Sequence, residues 1–440
     1  MSLAASTAPR LQESVDDYRR LPLHRLQSGQ SLEFPIRASD GLLLLAEGSL
    51  LTPRLLEILE RRGHTAVWVN RREPALAASI EPMGALTSVP DDQPCAVVGV
   101  HNRASRILDY ELRDRIAEAS ALRASPFRSE IPNLGAAPYP ETLAREIFQK
   151  HESFVDELRE SALQIIHSDP RGGERAGRVV DEYLRLLIED IDLFAHCASS
   201  PYGGGYPHRH SLHVAMLGLA MGVRAGLGEE QLHLLGLGAL LHDVGMLRIP
   251  KIAWGSKSTL TAQQQLAIMA HPIYSVEALS RTESTPVDVR YIAYQVHERS
   301  GGQGYPRRVP SDLIHPLAKI VMTADMYAAM LSDRPHRSAI QPYAAVESLV
   351  RAVRAGRLDA QPVRWLLETV SLYPIGSYVL LSDGRLGKVL RSNGSAYDRP
   401  VVRTWPPRSQ PSDQSGELVD LSKTEELTVV EALPSPSASG

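Results

Sequence analysis

Five stretches of this 440-residue chain carry side chains able to meet on a metal ion: His210, the dipeptide His242-Asp243, His271, His297 and Asp325. Taken singly, each histidine reads as a core residue, and with 15 histidines in the chain a His-Asp pair is expected about once by accident. The set reads differently. All five stretches are helical and apolar, and bundles build metal sites from side chains projecting inward on facing helices. Imidazole and carboxylate without thiolate suit manganese, iron, nickel or zinc, and the residue types do not choose among them. Two such ions roughly 3.5 to 4 Å apart, sharing a carboxylate, turn a bridging water into a nucleophile at neutral pH and stabilise charge on phosphate oxygens. Phosphoester hydrolysis is the chemistry that this arrangement serves.

Positioning these groups takes a bundle. Residues 211–226 are small and aliphatic and 229–241 are apolar on most sides, so both predict buried helices. Thr261 and Gln264 match a capping box for a helix carrying His271. Residues 287–296 lead into His297, and 317–331 close the set with Leu317, Ile320, Val321, Ala324, Ala328 and Leu331 as the apolar stripe and Asp325 on its edge. A carboxylate there is costly to desolvate unless it is paired or binds a cation. Upstream, 141–199 reads as helices interrupted at Pro170 to Gly173. Phe148, Phe154, Leu158, Leu163 and Ile166 mark the first and Val180, Leu184, Leu187 and Ile191 the second. These amphipathic faces must bury against the site region or pair between protomers of a homodimer.

The expected fold class is mainly α: a helical bundle over 141–372, a small α/β module over 21–72 and a small β meander over 373–432. In the module, Leu32, Phe34 and Ile36 alternate as a strand before the turn Ser39-Asp40-Gly41 and the apolar run 42–46, a hairpin signal. Thr52-Pro53 then opens a short helix that Gly63 stops, and 66–69 returns as a strand. In the meander, Asp383-Gly384 and Asn393-Gly394 turn strands at 378–381, 386–390 and 401–405, with 427–430 as an added strand. Residues 1–20 read as a flexible lead-in, 73–140 as linker, and 406–416 and 433–440 as disordered.

Composition narrows the function classes. Net charge is −4, with no global basic signature for nucleic acid. Cys95 and Cys197 are too few for a disulfide framework or a thiolate cage, which points to the reducing cytoplasm. The first 20 residues have no apolar core of signal-peptide type. No apolar run approaches the roughly 20 residues of a membrane-spanning helix, so no membrane insertion is expected.

The order of motifs resembles a known family. His210-Ser211-Leu212-His213-Val214, then Leu240-Leu241-His242-Asp243-Val244-Gly245, Ile249-Pro250 and His271-Pro272 look like the HD-GYP branch of the HD phosphohydrolases. His297-Glu298-Arg299, Gly302, Gly304-Tyr305-Pro306, Ala324-Asp325 and Ser332-Asp333-Arg334-Pro335 continue that order over about residues 180 to 370. The resemblance implies an HD-type helical bundle that hydrolyses cyclic di-GMP to the linear dinucleotide pGpG or to GMP in bacterial second-messenger signalling. It implies two divalent ions, iron or manganese ahead of nickel or zinc. His210, His242, Asp243 and Asp325 would hold one, and Asp243 would bridge to a second held by His271 and His297, with His242 and Asp243 at the centre of catalysis. Gly304, Tyr305 and Pro306 would shape the substrate loop, which in the family is also a docking surface for GGDEF-type or other signalling proteins. Arg334 and Arg337 match positions that meet the ligand phosphates, where a planar guanidinium suits phosphate oxygens.

Four positions depart from the family pattern. Val296 stands where a His-His pair is usual, Met246 where a lysine follows the HD-x-Gly string, and Gly301 where an Asp is expected. Tyr206 takes the position of a Glu found in members with a third metal, and His208 is an imidazole available for a vacated ligand position. A second tripeptide, Gly205-Tyr206-Pro207, shows that Gly-Tyr-Pro alone carries little weight. Two further readings stay open beside hydrolysis of cyclic di-GMP. One is a degenerate member that binds the nucleotide or a signalling partner without hydrolysis, and the other is an HD-superfamily hydrolase of another nucleotide.

Overall fold

The computed structural model describes residues 127–433 except 138, 201, 256–259, 334–337 and 407–415, together with parts of the stretch 18–70. Arg334 and Arg337, most of the lead-in, residues 71–126, the Ser39-Asp40-Gly41 turn, Pro53, Gly63 and the tail from 434 lie outside the described residues. The chain forms two compact units, Met1–Val100 and His101–Gly440.

In the first unit, β1 (Tyr18–Pro22), β2 (Ile36–Arg37), β3 (Leu43–Leu45) and β4 (Ala66–Asn70) form an antiparallel sheet in the order β1-β4-β2-β3. The expected hairpin is present, with Ile36 opposite Leu45. β1 begins inside the stretch read as lead-in: Tyr18 pairs with Asn70, and the polar Tyr-Arg-Arg start shows no alternation that would reveal a strand. Leu23, Leu32, Ile36, Leu51, Val67 and Val69 are buried in a small core of their own.

The second unit is a helical bundle with a sheet at its C-terminal end. Its helices are α1 (Glu141–Ile166), α2 (Arg171–Glu189), α3 (Ile191–Ser199), α4 (His208–Arg224), α5 (Glu229–Leu241), α6 (Lys251–Trp254), α7 (Ala262–Met269), α8 (His271–Ser280), α9 (Val287–Gln295), α10 (Pro316–Leu331), α11 (Pro342–Arg354) and α12 (Ala360–Val370). The 3-10 turn Phe127–Glu130 buries Phe127 in the same core, so the end of the stretch read as linker belongs to the bundle. α4 is buried on nearly every side and α5 packs along it, as their apolar composition requires. Gly238 lets α9 approach α5: a Cβ there would overlap Ile292. No helix among the described residues is long and apolar enough to cross a membrane.

Two helix readings need correction. The buried face of α1 is Leu143, Ile147, Phe154, Leu158 and Ile165, while Phe148 is 63% and Leu163 40% exposed. At about 100° per residue, Leu163 points half a turn away from Phe154. The capping box at Thr261 is formed, with Thr261 N donating to Gln264 Oε1 at 2.8 Å and Gln264 N to Thr261 Oγ1 at 3.2 Å. It caps α7, however, and His271 opens a separate helix, because Pro272 has no N–H to continue the first.

The C-terminal sheet has five antiparallel strands, β5 (Tyr378–Leu381), β6 (Leu386–Arg391), β7 (Val401–Trp405), β8 (Glu417–Asp420) and β9 (Val429–Leu433), in the order β8-β7-β6-β5-β9. The three expected central strands are present, and the added strand lies at Val429–Leu433 rather than 427–430, so Leu433 belongs to the sheet and not to the tail read as disordered. β8 had no sequence signal, since its residues are mostly exposed and need not alternate. Arg391 of β6 locks this sheet to the bundle, donating to Asp190 Oδ1 at 3.0 Å and Oδ2 at 2.8 Å and to the Ala137 carbonyl at 2.6 Å.

Candidate metal centre

Each of the six candidate ligands is delivered by a different local device. His210 lies in the first turn of α4, His242 follows the last residue of α5, and Asp243 sits in the link to the 3-10 turn Val244–Arg248. His271 is the first residue of α8, His297 follows α9, and Asp325 is inside α10. The structure brings all six together, and all six are buried. His210 Nε2 is 2.9 Å from Asp325 Oδ1, and His242 Nε2 is 3.3 Å from Asp243 Oδ1 and 4.0 Å from Asp325 Oδ1. His271 Nε2 is 3.0 Å from Asp243 Oδ1 and 2.9 Å from His297 Nε2. Two overlapping groups have ligand atoms all within 4.8 Å of one another: His210, His242 and Asp325, and His242, Asp243 and His297.

The other nitrogen of three rings is already committed. Nδ1 of His242 faces the Ala239 carbonyl at 2.8 Å, and Nδ1 of His271 faces the Ile268 carbonyl at 2.6 Å. Nδ1 of His210 is 2.8 Å from the Tyr202 hydroxyl, which donates its own hydrogen to the Ala328 carbonyl at 3.2 Å. A carbonyl only accepts, so Nδ1 carries the proton and, in the neutral ring, Nε2 turns a lone pair into the centre. Burial alone would raise the Asp243 carboxyl, but His242 and His271 beside it hold it well below the usual range. Burial likewise opposes ionisation of Asp325, and the hydrogen bond from His210 with the nearby His297 outweighs it. Burial pushes His297 down to about 4.

The centre therefore sets two carboxylates against the Nε2 atoms of buried imidazoles. His242 Nε2 and Asp243 Oδ1 are buried and have no hydrogen-bond partner among the described residues. His271 Nε2 faces that same oxygen at 3.0 Å, while its Nδ1 faces the Ile268 carbonyl at 2.6 Å. Two carboxylates buried this close together are costly unless positive charge, from a proton or a cation, lies among them. The donor set fits a divalent transition metal: nitrogen and oxygen, no sulfur.

Neighbouring elements hold this geometry. Ser275 Oγ accepts from Gly245 N at 2.9 Å and donates to the His242 carbonyl at 2.7 Å, joining the His242-Asp243 turn to α8. A side chain at Gly245 would run into the His271 carbonyl. Glu298 is fully buried and accepts from the backbone N–H of Arg307, Arg308 and Val309 at 2.6, 3.2 and 3.2 Å. Its carboxyl is pushed up to about 7 by burial, which those three donors partly offset. The loop so fastened carries Tyr305, whose ring stacks on His297 with centroids 4.9 Å apart and meets the edge of His271 at 6.2 Å. Gly304 has no room for a Cβ beside the Glu298 backbone, and Pro306 follows a cis peptide bond.

The departures fall in two environments. Val296 is buried in the main core and Met246 in a small apolar cluster with Ile249 and Ala253, so neither brings charge to the centre. Gly301 pairs with Pro310, where a Cβ would press on the Gly356 carbonyl. His208 is buried and held down to about 4 by burial, and it belongs to neither ligand group. Tyr206, in the tripeptide discounted above, donates to Asp243 Oδ2 at 3.2 Å. Tyr202 and Ser275 carried no sequence signal, because a lone Tyr or Ser acquires its role from partners far along the chain.

Residues 194–361 match the family model described as HD domain. The chain is similar to the cyclic di-GMP phosphodiesterase PA4108 of Pseudomonas aeruginosa, 26% identical over 316 residues that cover 70% of this chain and 74% of that protein. It is 34% identical over 134 residues to the cyclic di-GMP phosphodiesterase response regulator RpfG of Xanthomonas campestris, across 30% of this chain and 35% of the other. A third relative, 3'3'-cGAMP-specific phosphodiesterase 1 of Vibrio cholerae, is 30% identical over 156 residues, 36% of each chain. Among solved structures, Bd1817, an HDG"Y"P protein from Bdellovibrio bacteriovorus, aligns with a TM-score of 0.45 at 16% identity over 80% of this chain and 98% of its own. The buried His and Asp set lies inside the matched residues, so residues 194–361 of this chain form an HD domain, and the chain is similar to cyclic-dinucleotide phosphodiesterases.

Proposed function

We propose that the protein is a metal-dependent phosphodiesterase that hydrolyses cyclic di-GMP to pGpG or GMP. One observation carries the reading: buried imidazole Nε2 atoms and carboxylate oxygens of six residues converge to 2.9–4.0 Å, while Nδ1 of His242 and of His271 is already committed to a backbone carbonyl. His210, His242 and Asp325 would hold one divalent ion, and Asp243, His271 and His297 a second beside it. What such ions supply when bound is activation of a water at neutral pH and neutralisation of charge on phosphate oxygens. The protein does the rest. Asp243 and Asp325 stay ionised, the Ala239, Ile268 and Tyr202 oxygens keep three rings turned inward, and Glu298 holds the loop that sets Tyr305 beside the centre. The substrate class comes from the relatives, of which two named above act on cyclic di-GMP and one on 3'3'-cGAMP.

A second reading, binding without hydrolysis, draws on Met246, which is packed in an apolar cluster where a phosphate-facing cation would stand. Elemental analysis with product chromatography separates the two. The protein and His242→Ala are incubated with cyclic di-GMP and, separately, 3'3'-cGAMP. Metal in the parent protein with pGpG or GMP formed, both lost in His242→Ala, is the expected result. Intact nucleotide after long incubation of metal-loaded protein would overturn hydrolysis, and turnover of 3'3'-cGAMP alone would reassign the substrate.

A further inference from the structure

The strap from Tyr202 to Pro207, just ahead of α4, touches the centre from two sides. Tyr202 joins the two elements that carry His210 and Asp325. Its backbone N donates to the Leu331 carbonyl at 3.3 Å and its own carbonyl accepts from Asp333 N at 3.0 Å, both at the end of α10. Its hydroxyl takes the Nδ1 proton of His210 at 2.8 Å and gives its own to the Ala328 carbonyl, one turn beyond Asp325. The ring lies flat on His213, with centroids 3.8 Å apart at 10°. The hydroxyl is thus fixed by backbone, stacking and a second hydrogen bond.

Tyr206 acts on the other side. Its hydroxyl donates to Asp243 Oδ2 at 3.2 Å, while Asp243 Oδ1 faces His242 at 3.3 Å, His271 at 3.0 Å and His297 at 3.7 Å. The two oxygens of one carboxylate therefore have separate tasks. The Tyr206 ring also meets Trp254 edge to face, with centroids 5.3 Å apart, a contact that does not involve the hydroxyl.

We propose that Tyr202 and Tyr206 are positioning residues of the metal centre, Tyr202 fixing the Nε2 lone pair of His210 and Tyr206 reserving Asp243 Oδ1 for the metal by occupying Oδ2. The proposal rests on the metal-dependent reading above and adds to it two residues from a strap that the spacing of the ligands does not reveal. Outer partners that orient metal ligands change affinity by about ten- to a hundredfold when removed.

The test uses Mn2+ as probe, with free ion followed by electron paramagnetic resonance, on the full chain and its Tyr202→Phe, Tyr206→Phe and Trp254→Phe variants. Each Tyr→Phe change keeps the ring and removes one oxygen. We expect a rise in Kd of about tenfold or more in both tyrosine variants and a changed visible spectrum with Co2+, with the urea midpoint of the metal-free protein near that of the parent. Trp254→Phe, which leaves both hydroxyls in place, should bind Mn2+ like the parent. Parent-like Kd and Co2+ spectrum in both tyrosine variants would overturn this proposal and leave the function standing. Equal loss in Trp254→Phe would also overturn it, by showing that packing rather than the hydroxyl matters. A parent protein that binds no Mn2+ would overturn both.

Discussion

Where the bundle meets the C-terminal sheet, Asp190 and Asp192 are buried against Arg391 and Arg224; in the candidate metal centre, Asp243 and Asp325 are buried against four imidazoles. Arg391 brings a permanent cation, forked onto both oxygens of Asp190 and stacked over the Tyr139 ring at 4.5 Å. The imidazoles bring no permanent charge. His297 is neutral at physiological pH, and His242, His271 and His210 turn Nε2 toward the carboxylates. An unpaired buried ion costs several kcal/mol, so the first cluster neutralises itself as the chain folds, whereas the second leaves that to a cation from outside. One cluster fastens elements together; the other has the residue types and spacing of a metal site.

Breaking the self-neutralised cluster has the largest expected effect. Arg391→Met leaves Asp190 buried without its partner and should lower stability by about 3–5 kcal/mol in urea unfolding, with metal affinity per folded molecule unchanged. If Arg391→Met instead lost metal and kept its stability, the two clusters would not be separate. Acid sharpens the contrast. His151, which packs edge-on against His213 at 4.6 Å, is pushed down to about 4 by burial, with Arg209 adding to it. The unfolded ring takes up its proton near 6.5, so the stability His151 provides is present above that pH and is lost as pH falls through 4, roughly 3 kcal/mol in all. Asp192 is pushed up to about 6 by burial, against the pull of Arg224 and Arg391, so it moves the other way and gains stability as pH falls from 6 toward 4. Between pH 7 and 4, His151→Phe should therefore lose less stability than the parent in parallel urea titrations. The smallest expected effect is that of metal itself. At a hundredfold excess over Kd, a divalent ion should stabilise the parent and Arg391→Met alike by about 2.7 kcal/mol, and Asp243→Asn should show no such gain. A gain retained in Asp243→Asn would move the ion away from that carboxylate.

The six His and Asp candidates could be picked out because residue type and place on apolar helical stretches are properties of the sequence, and the structure buries all six together. The central strands of the C-terminal sheet were legible from alternation and from Asp383-Gly384 and Asn393-Gly394, where Gly384 and Gly394 adopt positive φ. β8 was not, since an exposed edge strand has no burial to encode, and the exposed faces at Phe148 and Leu163 show that apolar residues alone do not define a stripe. The contact of Tyr206 had no sequence signal for a related reason: its Asp243 partner is 37 residues away and leaves no mark on local pattern.

By itself, the sequence determined which groups could bind metal, which segments would be helical, and that the helices bearing the ligands would be buried. Those follow from side-chain type and period. Only the tertiary structure decided which nitrogen of each ring faces inward, which oxygen of Asp243 meets the imidazoles, and which buried carboxylates are paired within the chain. These depend on single hydrogen bonds between distant residues, such as Tyr202 with Ala328, Ser275 with His242 and Arg391 with Asp190, and such bonds are set by packing rather than by any local pattern.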